Sequence, residues 1–498
     1  MRHCIGIDLG TSAVKIILVN ELGKVVLQTS KSYPLIQEEQ GYSEQDPSLW
    51  VSQTIEGLKE IVNQFNGPVN SIEGISFSGQ MHGLVLLDDQ NEVIRPCILW
   101  NDTRTTKQCL AITSSFGEEI LDLTKNKVLE GFTLPKLLWV KENEKENFHK
   151  IKTFLLPKDY VRFMLTGQLH MDYSDAAGTL LLDIDKKKWS DTIVDHFQIP
   201  SSICPKLVES YDCVGTITKK ISELTGLSPS TKVFAGGADN ACGAIGAKLT
   251  DEKTVLCSIG TSGVILANEI EDSTLTYDGA LHVFNHSKPN SLYSMGVTLS
   301  AGQSLNWLKQ TFFKNASFDA MLEGIEEIPI GSLGLIFTPY LYGERTPHTD
   351  AFIRGSFIGI DARHTNKHFV KSVMEGITFS LNEIIHSYRQ KGKTIEKVIS
   401  IGGGAKNNLW LQMQADIFNA KVIRLDNEQG PALGAAMIAA YGLSWYPSFE
   451  VIADLFLKEK DEFTPNVSNV KQYEQLMKIY QTVYNHTKEI NTQLQRFR

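Results

Sequence analysis

The sequence predicts an α/β protein of two domains, and three observations predict it. Strand-length apolar runs alternate with helix-length amphipathic stretches along the chain, the pattern of layered α/β domains. The length of 498 residues exceeds what one hydrophobic core usually serves. The order strand, Gly-Thr-Ser, strand occurs at residues 3–19 and again at 255–267, a spacing that fits two domains of about 250 residues. Gly-Thr-Ser is also a common turn composition, so the repeat is weak by itself. The expected division is 1–248 and 249–498, the second part ending in a helical tail.

Each element follows from local chemistry. Residues 3–9 read as a strand broken by Gly10-Thr11-Ser12, with further strands at 14–19 and 25–27. Asp46-Pro47 offers a cap acceptor and then a first-turn proline, so a helix starts there. Val51, Ile55, Leu58 and Val62 share its apolar face. Residues 72–77 form a strand that feeds Ser78-Gly79-Gln80-Met81-His82-Gly83. Residues 155–165 read as a helix with Pro157 in its first turn. A strand at 233–235 enters Gly236-Gly237-Ala238-Asp239-Asn240, and a small-residue helix is expected over 241–247.

In the second half, strands are expected at 255–259, 264–267 and 398–401, and helices at 368–388, 409–418 and 430–441, the last capped by Gly442. Val470, Tyr473, Met477, Tyr480 and Tyr484 recur at three to four residues, which makes a tail helix. It packs either on its own body or on a second copy, as in a homodimer.

Composition narrows the function. A formal net charge of -9 gives no reason to expect nucleic-acid binding, which needs a basic surface. No stretch approaches 18 uncharged apolar residues, so no membrane span is expected. The seven cysteines have no zinc or redox spacing. Reduced thiols in a cytoplasmic chain are the expectation, with Cys4, Cys242 and Cys257 as core fillers. The N-x-S/T triplets at Asn285, Asn315, Asn466 and Asn485 are chance matches in such a chain.

Four glycine-bearing turns follow strand or apolar segments, at 8–12, 260–263, 300–303 and 402–407. Such turns expose N–H groups that can surround phosphate. Each alone also fits a plain turn needing positive φ. Neither the P-loop pattern nor the dinucleotide fingerprint occurs.

Several side chains bear chemistry. Asp8 can hold hydrated Mg²⁺ near a transferred phosphate, or cap the turn of Thr11 and Ser12. Asp239 can accept a proton from an attacking hydroxyl, or cap the helix that follows. Gln80, Met81 and His82 can meet vicinal hydroxyls and a carbon skeleton. Trp100, Asn101, Asp102 and Arg104 form a polar cluster and are further candidates for binding the substrate. Arg104 either orients a sugar or bridges nearby carboxylates.

The chain resembles the FGGY carbohydrate kinases, within the actin and sugar-kinase ATPase superfamily. The resemblance rests on IGIDLGTSAVK, on GFTLPKLLW at 131–139, on GSFIGIDARHTNKHFVKSVMEG at 355–376 and on SIGGGAKNNLWLQMQADIF at 400–418. It implies two ribonuclease-H-like domains with an interdomain cleft, a sugar-binding one at 1–248 and a nucleotide-binding one at 249–498. It places Asp8 at the metal and Thr11 and Ser12 in the first phosphate turn. It places Gly260, Thr261, Gly302, Gly403, Gly404 and Asn407 at ATP, and Asp239 at the catalytic base. ISFSGQMHGLVLLD at 75–88, WNDTRT at 100–105 and FAGGADNACGAIG at 234–246 resemble the branch acting on D-xylulose. That assigns Met81, His82 and Asn240, with Asp239, to the pentulose. The alternatives are a kinase for ribulose or another polyol, and an actin-like ATP-binding regulator.

Overall fold

The computed structural model describes residues 1–498 except Ser273, Asn315, Asn427 and Glu428; the Asn315 triplet thus lies outside the described residues. Two compact units emerge. One comprises Met1–Thr250, Glu269–Tyr293 and Asn427–Leu457; the other comprises Asp251–Asn268, Ser294–Asp426 and Lys458–Arg498.

The first unit is built on a mixed sheet. Its strand order is Cys213–Thr216, Lys232–Phe234, Ile72–Gly79, His3–Leu9, Ala13–Asn20, Val25–Ser32. His3–Leu9 runs antiparallel to Ala13–Asn20 and parallel to Ile72–Gly79. Most of its side chains are buried, as expected for a central strand. Val25–Ser32 runs five residues beyond the apolar stretch that suggested it, because its second half alternates half-buried and exposed residues at a sheet edge. Ile5, Ile7, Leu9, Ile16, Leu58, Ile75 and Phe77 belong to one core beneath this sheet.

The helix Pro47–Gln64 starts as expected: Asp46 accepts from the Ser48 N–H and Pro47 is the first helical residue. The expected helix over 155–165 begins later. Thr153–Leu155 is a strand, Leu156 is extended, and the helix is Pro157–Thr166. Proline Cδ disfavours helical geometry in the residue before it, which sets that start. The helix Pro431–Gly442 also ends differently. Gly442 is its last residue rather than its cap, and Ser444 takes the left-handed turn. A Cβ on Gly442 would stand 2.4 Å from the Phe234 ring, so glycine serves close approach here.

A second sheet repeats the plan. Ser291–Thr298, Gly263–Ile270, Thr254–Ile259, Lys397–Gly402, Lys421–Leu425 and Glu459–Phe463 lie in that order. In both sheets a central strand has an antiparallel hairpin partner on one side. On the other side come two parallel strands and an antiparallel edge. The doubled Gly-Thr-Ser pattern therefore marks equivalent hairpins.

The long helix Asn366–Gln390 opens with a capping box between Thr365 and His368. The tail helix Val467–Leu494 buries Val470, Tyr473, Met477, Tyr480 and Tyr484. Tyr473 donates to Glu375 and Tyr484 to Asp350, so the tail packs on its own unit. All seven cysteines are free thiols; Cys4, Cys242 and Cys257 are fully buried. Among the described residues no helix is long and apolar enough to cross a membrane.

Candidate active site

Sheet register assembles the first constellation. Asp8 pairs with Ser78 on the parallel strand, and Ser78 pairs with Gly237 on its other side. These residues end their strands together, where ligands of open α/β sheets bind. Two residues past Gly237, Asp239 opens the helix Asp239–Gly246. The helix thus starts two residues earlier than the sequence suggested, and no side-chain cap bond forms.

The Asp239 carboxylate is only partly exposed. Burial, with the nearby Asp8 charge, pushes its pKa up to about 7. Asp8 accepts from Ser78 Oγ at 2.9 Å. Burial raises its pKa too, against the Ser78 bond and the Lys15 charge. Two neighbouring carboxylates short of compensation would favour a bound cation, and hard oxygen donors suit Mg²⁺.

The segment 80–82 joins this group. Asn240 Nδ2 lies 3.1 Å from Asp239 Oδ1 and 3.6 Å from the Met81 sulfur. The Tyr293 hydroxyl also reaches that sulfur, at 3.7 Å. Gln80 is buried and donates to Gln45, leaving its own Oε1 unpaired. His82 has φ of 69°, its Nδ1 lies 2.6 Å from the Gly178 oxygen, and its ring packs on Phe132. Thr11 Oγ1 accepts from the exposed Trp100 indole at 3.0 Å, while Ser12 and Asn101 are exposed.

Asp102 and Arg104 are engaged with each other. Asp102 is buried and accepts from the Ser43 N–H at 2.6 Å and from Arg104 Nε at 2.9 Å. Arg104 also meets Glu44 at 2.6 Å and lies over the Tyr42 ring. Of the two roles open to Arg104, the carboxylate bridge is the one these contacts fill.

Within the second unit, a cavity of about 570 Å³ is lined by Gly260, Thr261, Gly302, Gly403, Gly404 and Asn407, together with Leu305, Phe318 and Trp410. Its polar floor comes from register: Ile259 pairs with Gly402, which brings the 260–261 hairpin beside Gly403-Gly404. Gly302 donates to the Gly260 oxygen at 2.8 Å. A Cβ there would stand 2.5 Å from that oxygen. Asn407 caps the helix Asn408–Phe418 by accepting from the Trp410 N–H. Backbone donors on one wall and apolar side chains on another suit a phosphate-bearing aromatic ligand.

Sequence reasoning missed two residues at the first constellation. Gln45 donates to the Thr11 oxygen and accepts from Gln80 and Trp50, tying two turns together. Lys136 is fully buried and donates to the His82 and Gly131 oxygens. Burial pushes its pKa down to about 7. A lysine in the otherwise apolar run Leu134–Leu138 was the available signal.

The sequence model described as the FGGY family of carbohydrate kinases, N-terminal domain, matches residues 3–246, and its C-terminal counterpart matches 255–443. The chain is 59% identical over 498 residues to a xylulose kinase of Bacillus subtilis, with 100% of both chains covered. It is 37% identical to one from Escherichia coli, covering 87% of this chain and 89% of that one. Among solved structures, a ligand-bound xylulose kinase from Lactobacillus acidophilus superposes with a TM-score of 0.93 at 28% identity, covering 98% and 99% of the chains. A gluconate kinase from the same organism gives the same TM-score and identity, covering 98% of each chain.

Proposed function

This chain belongs to the FGGY family of carbohydrate kinases, and on that premise we propose that it phosphorylates D-xylulose at the 5-hydroxyl at the expense of ATP, with Asp239 as general base. The carrying observation is the bridge at Asn240. It ties the Asp239 carboxylate to Met81, in the segment assigned to the sugar.

The 5-oxygen attacks the terminal phosphorus of ATP, and the bond from that phosphorus to the bridging oxygen breaks. Asp239 takes the hydroxyl proton, and the leaving electron pair stays on ADP. A carboxylate poised near neutrality is matched to that task. Backbone N–H groups around Gly260, Gly302 and Gly403 would meet the phosphates. Leu305, Phe318 and Trp410 would face the base. Mg²⁺, when bound, neutralises phosphate charge; Asp8 would hold it. Met81, His82 and Asn240 orient the sugar. Gln80, Trp100, Asn101, Asp102 and Arg104 shape the surrounding loops. Thr11 and Ser12 belong to the first phosphate turn.

The equal fold match to a gluconate kinase makes the acceptor the point to test. ADP release would be measured with D-xylulose, D-ribulose, glycerol and D-gluconate. D-xylulose is expected to give the highest kcat/KM. A higher value with another acceptor overturns the sugar assignment, and no stimulation by any acceptor favours an ATP-binding regulator. A cytoplasmic setting is proposed on the free thiols. A homodimer would use the exposed tail residues Ile479 and Ile490; sizing in solution checks it.

A further inference from the structure

The turn carrying Asp239 is gripped by a buried ionic cluster that the reaction above does not use. Lys158, Asp159, Arg162, Asp172 and Asp175 have no solvent exposure. Lys158 Nζ lies 2.7 Å from Asp159, 2.5 Å from Asp172 and 2.9 Å from Asp175. Arg162 lies 2.7 Å from Asp159. The three carboxylates stand close enough to hold a metal, but the Lys158 ammonium already occupies the space among them. Replacing such a cluster with apolar residues is often neutral or stabilising, so stability alone explains it poorly.

The cluster reaches the main chain of 235–238 at three points. Arg162 donates to the Ala235 oxygen at 2.7 Å. Asp172 accepts from the Ser210 hydroxyl at 3.0 Å, and the main-chain oxygen of Ser210 accepts from the Gly236 N–H at 2.9 Å. Asp172 also accepts from the Ser174 hydroxyl, whose oxygen accepts from the Ala238 N–H at 2.9 Å. Ser287 lies 3.2 Å from the same hydroxyl and closes the group. Ala238 immediately precedes Asp239 and pairs with Gly79 at the strand end.

We propose that this cluster positions the general base. Lys158 orients Asp172, Asp172 orients Ser174, and Ser174 with Arg162 fixes the peptide planes that aim the Asp239 carboxylate. The inference rests on the base role given to Asp239 above. A base must lie within hydrogen-bond reach of the proton it takes, and a misplacement of about 1 Å can cost about a hundredfold in rate. Tying the 235–236 and 237–238 peptides of the turn to this buried network removes the peptide rotations that would misplace it. Lys158, Asp172, Ser174 and Arg162 are positioning residues; none needs to touch substrate.

Four full-length proteins test this: the parent, Ser174→Ala, Asp239→Asn and the double variant. Turnover, both KM values and thermal melting would be measured. Ser174→Ala is expected to lower kcat by about ten- to a hundredfold. Both KM values should stay within about twofold of the parent, the sign of an interaction used in the transition state. In the Asp239→Asn background the same change should cost nothing further, because the group being aimed has lost its function. A near-parental kcat for Ser174→Ala overturns the proposal, and so does an undiminished loss in the double variant. Near-normal turnover of Asp239→Asn would instead remove the base role, which keeps the two failures apart. If Ser174→Ala melts below the assay temperature, Asp172→Asn, nearly the same shape without the charge, carries the same comparison.

Discussion

The Lys136 ammonium donates to the main-chain oxygen of His82 across 3.0 Å, from a position without solvent exposure. His82 holds a left-handed backbone conformation that a non-glycine residue adopts only when its surroundings impose it. Lys136→Met should therefore strip the Gly131 oxygen of this donor and leave the His82 oxygen to the Thr133 hydroxyl, at a cost of about 1–3 kcal/mol. The expected result is a lower melting temperature and a raised KM for sugar, with ATP affinity unchanged. An unchanged sugar KM would make the contact purely structural.

Asp239 should govern the acid limb of the pH profile. Its pKa is raised to about 7, and only the ionised form accepts a proton. Thus kcat/KM for the sugar should rise with pH through about 7 and level off above it. An acid limb near the ordinary carboxylate range would argue against this assignment.

Stability carries the opposite sign at the same residue. A carboxyl whose folded pKa is raised holds its proton in the native state after the unfolded chain has lost it. Stability therefore falls as pH climbs from about 4 to about 7. Asp239→Asn removes that penalty. Its melting temperature should exceed the parent's at pH 8 and by less at pH 5, as read by melting curves at the two pH values.

Asp8→Asn should raise the Mg²⁺ concentration needed for half-maximal rate, without weakening metal-free ATP binding. Removing the charge also relieves Asp239, so the acid limb should move to lower pH. A metal titration and a pH profile on one preparation check both effects, and an unmoved titration curve would exclude Asp8 as the metal ligand.

Gly302→Ala forces a methyl against the Gly260 oxygen. Overpacking of this kind costs about 1–3 kcal/mol. The KM for ATP should rise while the sugar KM holds. Equal changes in both would mean that the turn is not at the nucleotide.

Much of this architecture was legible in the residues themselves. Asp46-Pro47 located a helix start, and the doubled Gly-Thr-Ser located two hairpins that sheet order confirms. Asp8, Met81 and Asp239 could be singled out as candidates because small residues or strand ends surround them, and Asn240 through the family resemblance. What pairing does could not be read. Arg104 looked equally fit for sugar or carboxylate, and only its contacts with Asp102 and Glu44 favour the second role. Lys136 and Gln45 act through main-chain oxygens remote in sequence. The apolar run around Lys136 marks that residue as unusual, but which main-chain oxygens these side chains bind emerges only with coordinates. Leu155 was misplaced because Pro157 fixed the helix start while the run before it stayed apolar.

The helix Pro431–Gly442 packs against the strand His3–Leu9 and the helix Asp239–Gly246. The strand His3–Leu9 thus waits for a segment synthesised long after it. Until then the nascent chain displays an unshielded greasy face, a target for chaperones. An enzyme cut after Thr250 should consequently aggregate instead of yielding a soluble half.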